Sequence, residues 1–307
     1  MIQPPGLFVN LWGIDLGGTK VEGAIIDPEN PDKALFRLRV PTESQHGYDH
    51  IVGQISKLVT ALEEASGLKR PAVIGIGTPG TVEPSTGLMK NSNTVCLNGR
   101  PLPQDLSKVL GVEARFANDA NCFALAEATL GAARGCPVVM GLILGTGCGG
   151  GVVVNQHIIA GLHGIGGEWG HNPLSGEFDP CYCGRKGCVE QVLAGPSLER
   201  YYRQQTGEAL RLPEIAQRAA TGEAAAQQTL ERLRQKFAEA IAVVINILDP
   251  DAVVIGGGVG NLDLLYTEAT RQAVVEHVFN GEVRTAFLKP TLGDSAGVFG
   301  AAMLTAQ

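Results

Sequence analysis

One arrangement occurs twice in this 307-residue chain and limits what it can fold into. NLWGIDLGGTKVEGAIID (10–27) reads as strand, glycine turn, strand, and VVMGLILGTGCGGGVVVN (138–155) repeats that order. The two copies lie roughly 130 residues apart, so a whole domain core is duplicated rather than a short stacking unit. The first strand is expected to begin near Leu7, and a further strand is expected at ALFRLRV (34–40). Apolar residues at helical spacing fill 50–66. AVIGIGTPG (72–80) and VEARFAN (112–118) read as strands, the second leading into a helix over 119–133 that Asn118 or Asp119 caps. After the second copy come a loop-rich stretch (163–190), helical sequence over 196–248, a buried strand DAVVIGGGV (251–259) and a closing helix DSAGVFGAAMLTA (294–306). Strands alternating with helices make an α/β protein, with a domain border near 120–135.

The glycine turns carry the first chemical signal. Asp15, Gly17, Gly18, Thr19 and Lys20 stand between two strands. Glycine admits left-handed backbone and lets N–H groups approach an anion closely, and Thr19 adds a hydroxyl. Asp15 at the strand end is placed to hold a metal-bound water beside a phosphate; the plain alternative is a tight hairpin with an Asp cap. Gly145, Thr146, Gly147 and Gly149 form the second turn. It contains G-x-G-x-x-G, but Val152, Val153 and Val154 continue as a strand where the dinucleotide fingerprint needs a helix. Gly256, Gly257 and Gly258 end a later strand. They either expose backbone to a flat ring such as adenine or simply turn the chain into a helix.

Two other clusters stand out. Cys181, Cys183 and Cys188 give Cys-x-Cys-x₄-Cys, and His171 ten residues upstream supplies a fourth donor. Four N/S donors with no open position describe a structural Zn²⁺ site, against the alternatives of free thiols or a redox pair. Cys96, Cys122, Cys136 and Cys148 are scattered and read as small buried hydrophobes. Asp119 sits at a strand-to-helix junction, where the helix dipole is expected to keep it ionised and able to accept a proton from a hydroxyl. Plain helix capping is the competing explanation.

Charge narrows the partners. Lys plus Arg is 24 and Asp plus Glu is 31, a net charge of −7, which disfavours duplex nucleic acid and anionic membrane. From 135 to 167 no residue is charged, long enough for a membrane span, but its many glycines suit two buried strands better than a helix. No secretory signal is visible over 1–12, and the cysteine usage fits the cytoplasm.

Together DLGGTK, a central AND before a helix, LGTGCGGG, GEWGH, CYCGRKGCVE and a late IGGG resemble the ROK sugar kinases of the actin-like ATPase superfamily, over about 13–300. The resemblance implies two actin-like (ribonuclease H-like) α/β domains with an interdomain cleft. These would be 1–125, completed by the closing helix 293–307, and 126–292. It implies ATP with Mg²⁺, the phosphates on 15–20 and 144–150 and the adenosine at Gly256, Gly257 and Gly258. Asp119 matches the catalytic base, and Asn118, Glu168, His171 and Glu190 match residues that hold sugar hydroxyls. His171, Cys181, Cys183 and Cys188 match the zinc ligands, and a homodimer is implied. The stretch 90–99 (KNSNTVCLNG) and NILDPDAVVIGGGV look like the fructokinase branch. Fructose is therefore the expected substrate, ahead of glucose, mannose or an N-acetylhexosamine. A repressor of the same family would need a helix-turn-helix ahead of the first strand, for which no room is expected.

Overall fold

The computed structural model describes residues 10–27, 29–30 and 33–307, so the expected strand start at 7–9 lies outside the described residues. Two units emerge: residues 1–131, 156–166 and 292–307 form one, and 132–155 with 167–291 form the other.

The first unit opens with β1 (Leu11–Leu16), β2 (Lys20–Ile26) and β3 (Ala34–Pro41), followed by α1 (Tyr48–Ser66) and β4 (Val73–Thr78). A small hairpin of β5 (Thr81–Val82) and β6 (Met89–Lys90), α2 (Leu102–Leu110), β7 (Glu113–Asn118) and α3 (Asp119–Thr129) complete its main run. The sheet order is β3-β2-β1-β4-β7. β1 pairs antiparallel with β2, while β1, β4 and β7 run parallel. α1 presents Ile51, Ile55, Leu58 and Leu62 at helical spacing, all fully buried, against Trp12, Ile14 and Ile25 of the sheet. Each such side chain contributes roughly 1.5–3 kcal/mol by burial. The helix stops at Gly67, whose left-handed backbone (φ 68°) lets its N–H reach the Glu63 carbonyl at 2.9 Å.

The second unit repeats the plan. β8 (Val138–Leu144) and β9 (Cys148–Val154) form an antiparallel hairpin; β10 (His157–Ile158) follows in the chain. The uncharged stretch 135–167 is thus strand and loop, and no helix among the described residues is long and apolar enough to cross a membrane. The short α4 (Glu190–Leu193) precedes the expected helical region 196–248, which is three helices, α5 (Gly195–Thr206), α6 (Leu212–Ala220) and α7 (Ala224–Leu248). Gly207 (φ 79°) and Gly222 (φ 95°) supply two of the breaks. β11 (Ala252–Gly256), the short α8 (Gly257–Gly260), α9 (Glu268–Val275) and β12 (Ala286–Leu288) follow, with β8, β11 and β12 parallel. Phe237 and Ile241 of α7 fill the core against Val253 and Ile255.

The chain closes with α10 (Ala296–Met303), which returns to the first unit. It lies almost on the backbone of the sheet. A Cβ on Gly13 of β1 or Gly75 of β4 would collide with the carbonyl oxygens of Val298 and Ala301, so only glycine admits the helix there.

Candidate active site

In the first unit the candidate residues gather where the parallel strands end, the edge at which open α/β sheets bind ligands. Asp15 pairs with Gly77 and Gly77 with Ala117, so Asn118 and Asp119 are the next two residues beyond that row. Asp15 is enclosed by glycine: a Cβ on Gly297 would stand 2.7 Å from its Oδ2, and one on Gly77 3.5 Å from its Oδ1. Burial, then the carboxylates of Asp119 and Glu22, push the Asp15 carboxyl up to about 6, against the pull of Lys20. Lys20 itself leans on Glu22 at 3.6 Å.

Asn118 is the helix cap, its side chain accepting the Asn121 N–H at 2.8 Å. Asp119 is therefore spared the capping role that competed with catalysis. Its Oδ1 accepts the adjacent Ala120 N–H at 2.8 Å. The Asp119 side chain reaches solvent, yet protein mass crowds it on all other sides. Desolvation raises its carboxyl above the ordinary value and outweighs the backbone donors. Burial therefore works against the helix dipole, which the sequence reading considers alone.

The first glycine turn is closed by Gly17 N–H donating to the Lys20 carbonyl at 2.9 Å. Thr42 holds it from outside, its N–H on the Thr19 carbonyl at 3.0 Å and its hydroxyl on the Gly17 carbonyl at 2.6 Å. In the second turn Gly145 N–H donates to the Gly147 carbonyl at 2.9 Å. None of Gly17, Gly18, Gly145, Gly147 or Gly149 adopts a positive φ, so left-handed backbone is not what these positions require. Gly18 and Gly145 face open space where a Cβ would go. Bare backbone with room above it suits an anion approaching the N–H groups. Thr19 and Thr146 are both exposed at the turn tips.

The second unit's other candidates surround that second turn. Glu190 Oε2 accepts Cys148 N–H at 3.0 Å. Gly170, in the one-turn segment Trp169–His171 that follows Glu168, lies flat on the Cys148 carbonyl, where any Cβ would collide. Gly256 ends β11 in extended backbone; Gly257 (φ 81°) lies against the Leu144 carbonyl, and Gly258 is exposed with nothing facing it. Of the three, Gly258 alone combines exposure with open space above its Cα; Gly257 is fixed by its own packing.

His171, Cys181, Cys183 and Cys188 converge, their donor atoms all within 4.8 Å of one another. Cys181 Sγ lies 3.7 Å from His171 Nδ1, and Cys183 Sγ 3.6 Å from Cys188 Sγ. A tetrahedron with Zn–S of about 2.3 Å has edges near 3.8 Å, so the donor set fits Zn²⁺. The Arg185 backbone N–H beside Cys183 holds that thiol below the ordinary range. His171 Nε2 is 3.1 Å from the Tyr182 hydroxyl, so the nitrogen left for a sugar already has a protein partner. Among the remaining cysteines Cys122 and Cys148 are buried, and burial pushes both thiols well up. Cys96 and Cys136 are only half-buried, contrary to expectation.

Sequence reasoning missed Thr42, Gly195, Gly297 and Tyr182. Gly195 donates its N–H to the Gly145 carbonyl at 2.8 Å. All four act through contacts between distant parts of the chain, and no local pattern marks them. The stretch 90–99 also reads differently in three dimensions. Asn98 spends its side chain on the Ser92 backbone, at 2.8 and 3.0 Å, so its polar groups shape a loop.

The ROK family model matches residues 11–307. The chain is 37% identical over 304 residues to the N-acetyl-D-glucosamine kinase of Pasteurella multocida (strain Pm70), covering 95% of this chain and 98% of that relative. The ROK hexokinase from Thermus thermophilus superposes with a TM-score of 0.83 at 30% identity, covering 96% of this chain and 97% of that one. A ROK family glucokinase from Streptomyces griseus, solved with glucose and AMPPNP, gives a TM-score of 0.76 at 27% identity, covering 96% and 99%.

Proposed function

The chain belongs to the ROK family and is a sugar kinase of actin-like α/β fold, and we propose that it transfers the γ-phosphate of ATP to the 6-hydroxyl of N-acetyl-D-glucosamine. The relative reported above is an N-acetyl-D-glucosamine kinase and not a fructokinase, so fructose gives way as the preferred sugar. The features that suggested fructose include Asn98, whose side chain is spent on its own loop.

One observation carries the chemistry. Asp119 is desolvated, keeps solvent access, is free of the capping role, and stands at the sheet edge that also bears the Gly17-Gly18 turn. A carboxylate whose proton affinity is raised by its surroundings is a better base than one in water. In this reading it takes the proton of the attacking hydroxyl, and Asn118, Glu168, His171 and Glu190 orient the sugar. Phosphoryl transfer asks mainly for positioning and charge neutralisation. Backbone N–H groups of the two turns that are not spent within the protein, Thr146 and Gly147 in the second, would supply donors to the ATP phosphates, and Asp15 would help to hold the Mg²⁺ that comes with the nucleotide. Gly256, Gly257 and Gly258 border the adenosine. Zn²⁺ on His171, Cys181, Cys183 and Cys188 fixes the loop that presents His171 and performs no step. The homodimer implied by the family resemblance belongs to the same proposal.

The test is an ADP-coupled assay over N-acetylglucosamine, glucose, mannose and fructose. The expected result is the highest kcat/KM with N-acetylglucosamine. Fructose in first place would overturn the sugar assignment and leave the kinase; no ADP with any hexose would overturn both.

A further inference from the structure

The segment that leaves the cysteine cluster holds the second glycine turn from both flanks. On one side Glu190 Oε2 accepts Cys148 N–H at 3.0 Å; on the other Gly195 N–H donates to the Gly145 carbonyl at 2.8 Å. Gly147 lies directly under the same carboxylate, where a Cβ would stand only 2.6 Å from Oε2. Glu190 is the first residue of α4, two positions after Cys188, so its backbone is anchored beside the His/Cys cluster.

These contacts decide which donors the turn can offer. Gly145 N–H is spent on the Gly147 carbonyl and Cys148 N–H on Glu190. Among the described residues no hydrogen bond engages the N–H groups of Thr146 or Gly147, which form the exposed tip. The direction of those two peptide planes follows from the anchoring of residues 145 and 148 on either side. A charged acceptor on Cys148 N–H is the strongest of these anchors, since hydrogen bonds to ionised groups exceed neutral ones about twofold.

We propose that Glu190 is a positioning residue for the nucleotide: its carboxylate sets the second turn so that Thr146 and Gly147 present their N–H groups to the phosphates. Oε1 remains for a sugar hydroxyl, and one side chain then serves both substrates. The inference rests on the phosphate-binding reading of the second turn given above.

The experiment is calorimetric titration of the whole protein with AMPPNP and Mg²⁺ in the absence of any sugar. Glu190→Ala is expected to weaken AMPPNP binding about tenfold, the loss of one charge-assisted hydrogen bond. Glu190→Gln keeps an acceptor and is expected to recover most of that loss. Gly147→Ala leaves Glu190 and the metal knot intact but displaces the carboxylate, and is expected to weaken binding comparably. The double variant Glu190→Ala with Gly147→Ala is expected to fall short of the sum of the two. Should Glu190→Ala fail to fold, Gly147→Ala carries the test alone. Wild-type affinity in a folded Glu190→Ala or in Gly147→Ala overturns the inference while leaving the kinase standing. A wild-type protein that binds no AMPPNP overturns the phosphate reading itself, and the inference with it.

Discussion

The two glycine hairpins are alike in how they turn and unlike in what holds them. Each closes with its first glycine N–H donating across the turn at 2.9 Å, Gly17 to Lys20 and Gly145 to Gly147. The first is braced by Thr42, just past the neighbouring strand β3. The second is braced by Glu190 and Gly195, beyond the whole cysteine-bearing loop. The shared strand, turn, strand order explains where each turn sits on its sheet, and residues outside that order supply its support. The candidate residues divide along the same line: Asp119 belongs to the first unit, and the His171, Cys181, Cys183 and Cys188 group belongs to the second.

Perturbing each unit through its own special residue should break different properties. Asp119→Ala is expected to lower kcat by about 10³ or more while sugar affinity and zinc content stay put. Steady-state kinetics with calorimetric sugar binding checks this, and near-normal turnover would remove Asp119 as the base. Cys183→Ser is expected to take metal content from one zinc per chain to none and lower the melting temperature by several degrees, through lost binding energy that is also folding energy. Elemental analysis and scanning calorimetry read both. A wild type holding no zinc after growth in zinc would undo the reading of the cluster.

Much of this division was legible before any coordinates. The repeat at 10–27 and 138–155 foretold two sheets with matching hairpins, because strand, glycine turn, strand is a local pattern. The Cys/His group was legible because its spacing is short. The braces were not, since Thr42 and Gly195 acquire meaning only through partners many residues away. Nor was the setting of Asp119: the helix dipole can be read from sequence, whereas the desolvation that raises its carboxyl depends on packing. Of the two properties read from the sequence for the glycines at 18 and 145, bare backbone open to an anion and left-handed backbone, the structure carries the first and not the second.

Asp15 permits a test of the first unit that its counterpart lacks. Position 143, which matches it in the repeat, is Ile, so the strand before the second turn brings no carboxylate of its own. With its folded pKa raised from 3.8 to about 6, Asp15 favours folding fully when protonated, below pH 3.8, and that contribution is lost as pH rises through about 6. Asp15→Asn is therefore expected to be more stable than the wild type at pH 8, by of the order of 2 kcal/mol, with the gap closing by pH 4. Urea titrations at pH 4, 6 and 8 measure it. A gap that does not depend on pH would mean that Asp15 is ordinarily hydrated, and its place beside the first turn would lose its electrostatic meaning.

The smallest effect falls on the brace of the first turn. Thr42 is fully buried and donates its hydroxyl to the Gly17 carbonyl at 2.6 Å, while its own N–H holds Thr19. Thr42→Val keeps the shape and the N–H bond and removes only the hydroxyl, so about 1 kcal/mol of local support is lost. Because a second bond still anchors the turn, the ATP KM is expected to rise only a few-fold, with kcat, sugar KM and zinc content unchanged. The second turn also keeps a backbone bond, from Gly195 N–H to the Gly145 carbonyl, but its side-chain brace is charged, so removing Glu190 should cost more than removing the Thr42 hydroxyl. Steady-state kinetics at varied ATP decides the matter. If Thr42→Val raised the sugar KM and left the ATP KM alone, the first turn would belong to the sugar, and the likeness between the hairpins would end at their shape.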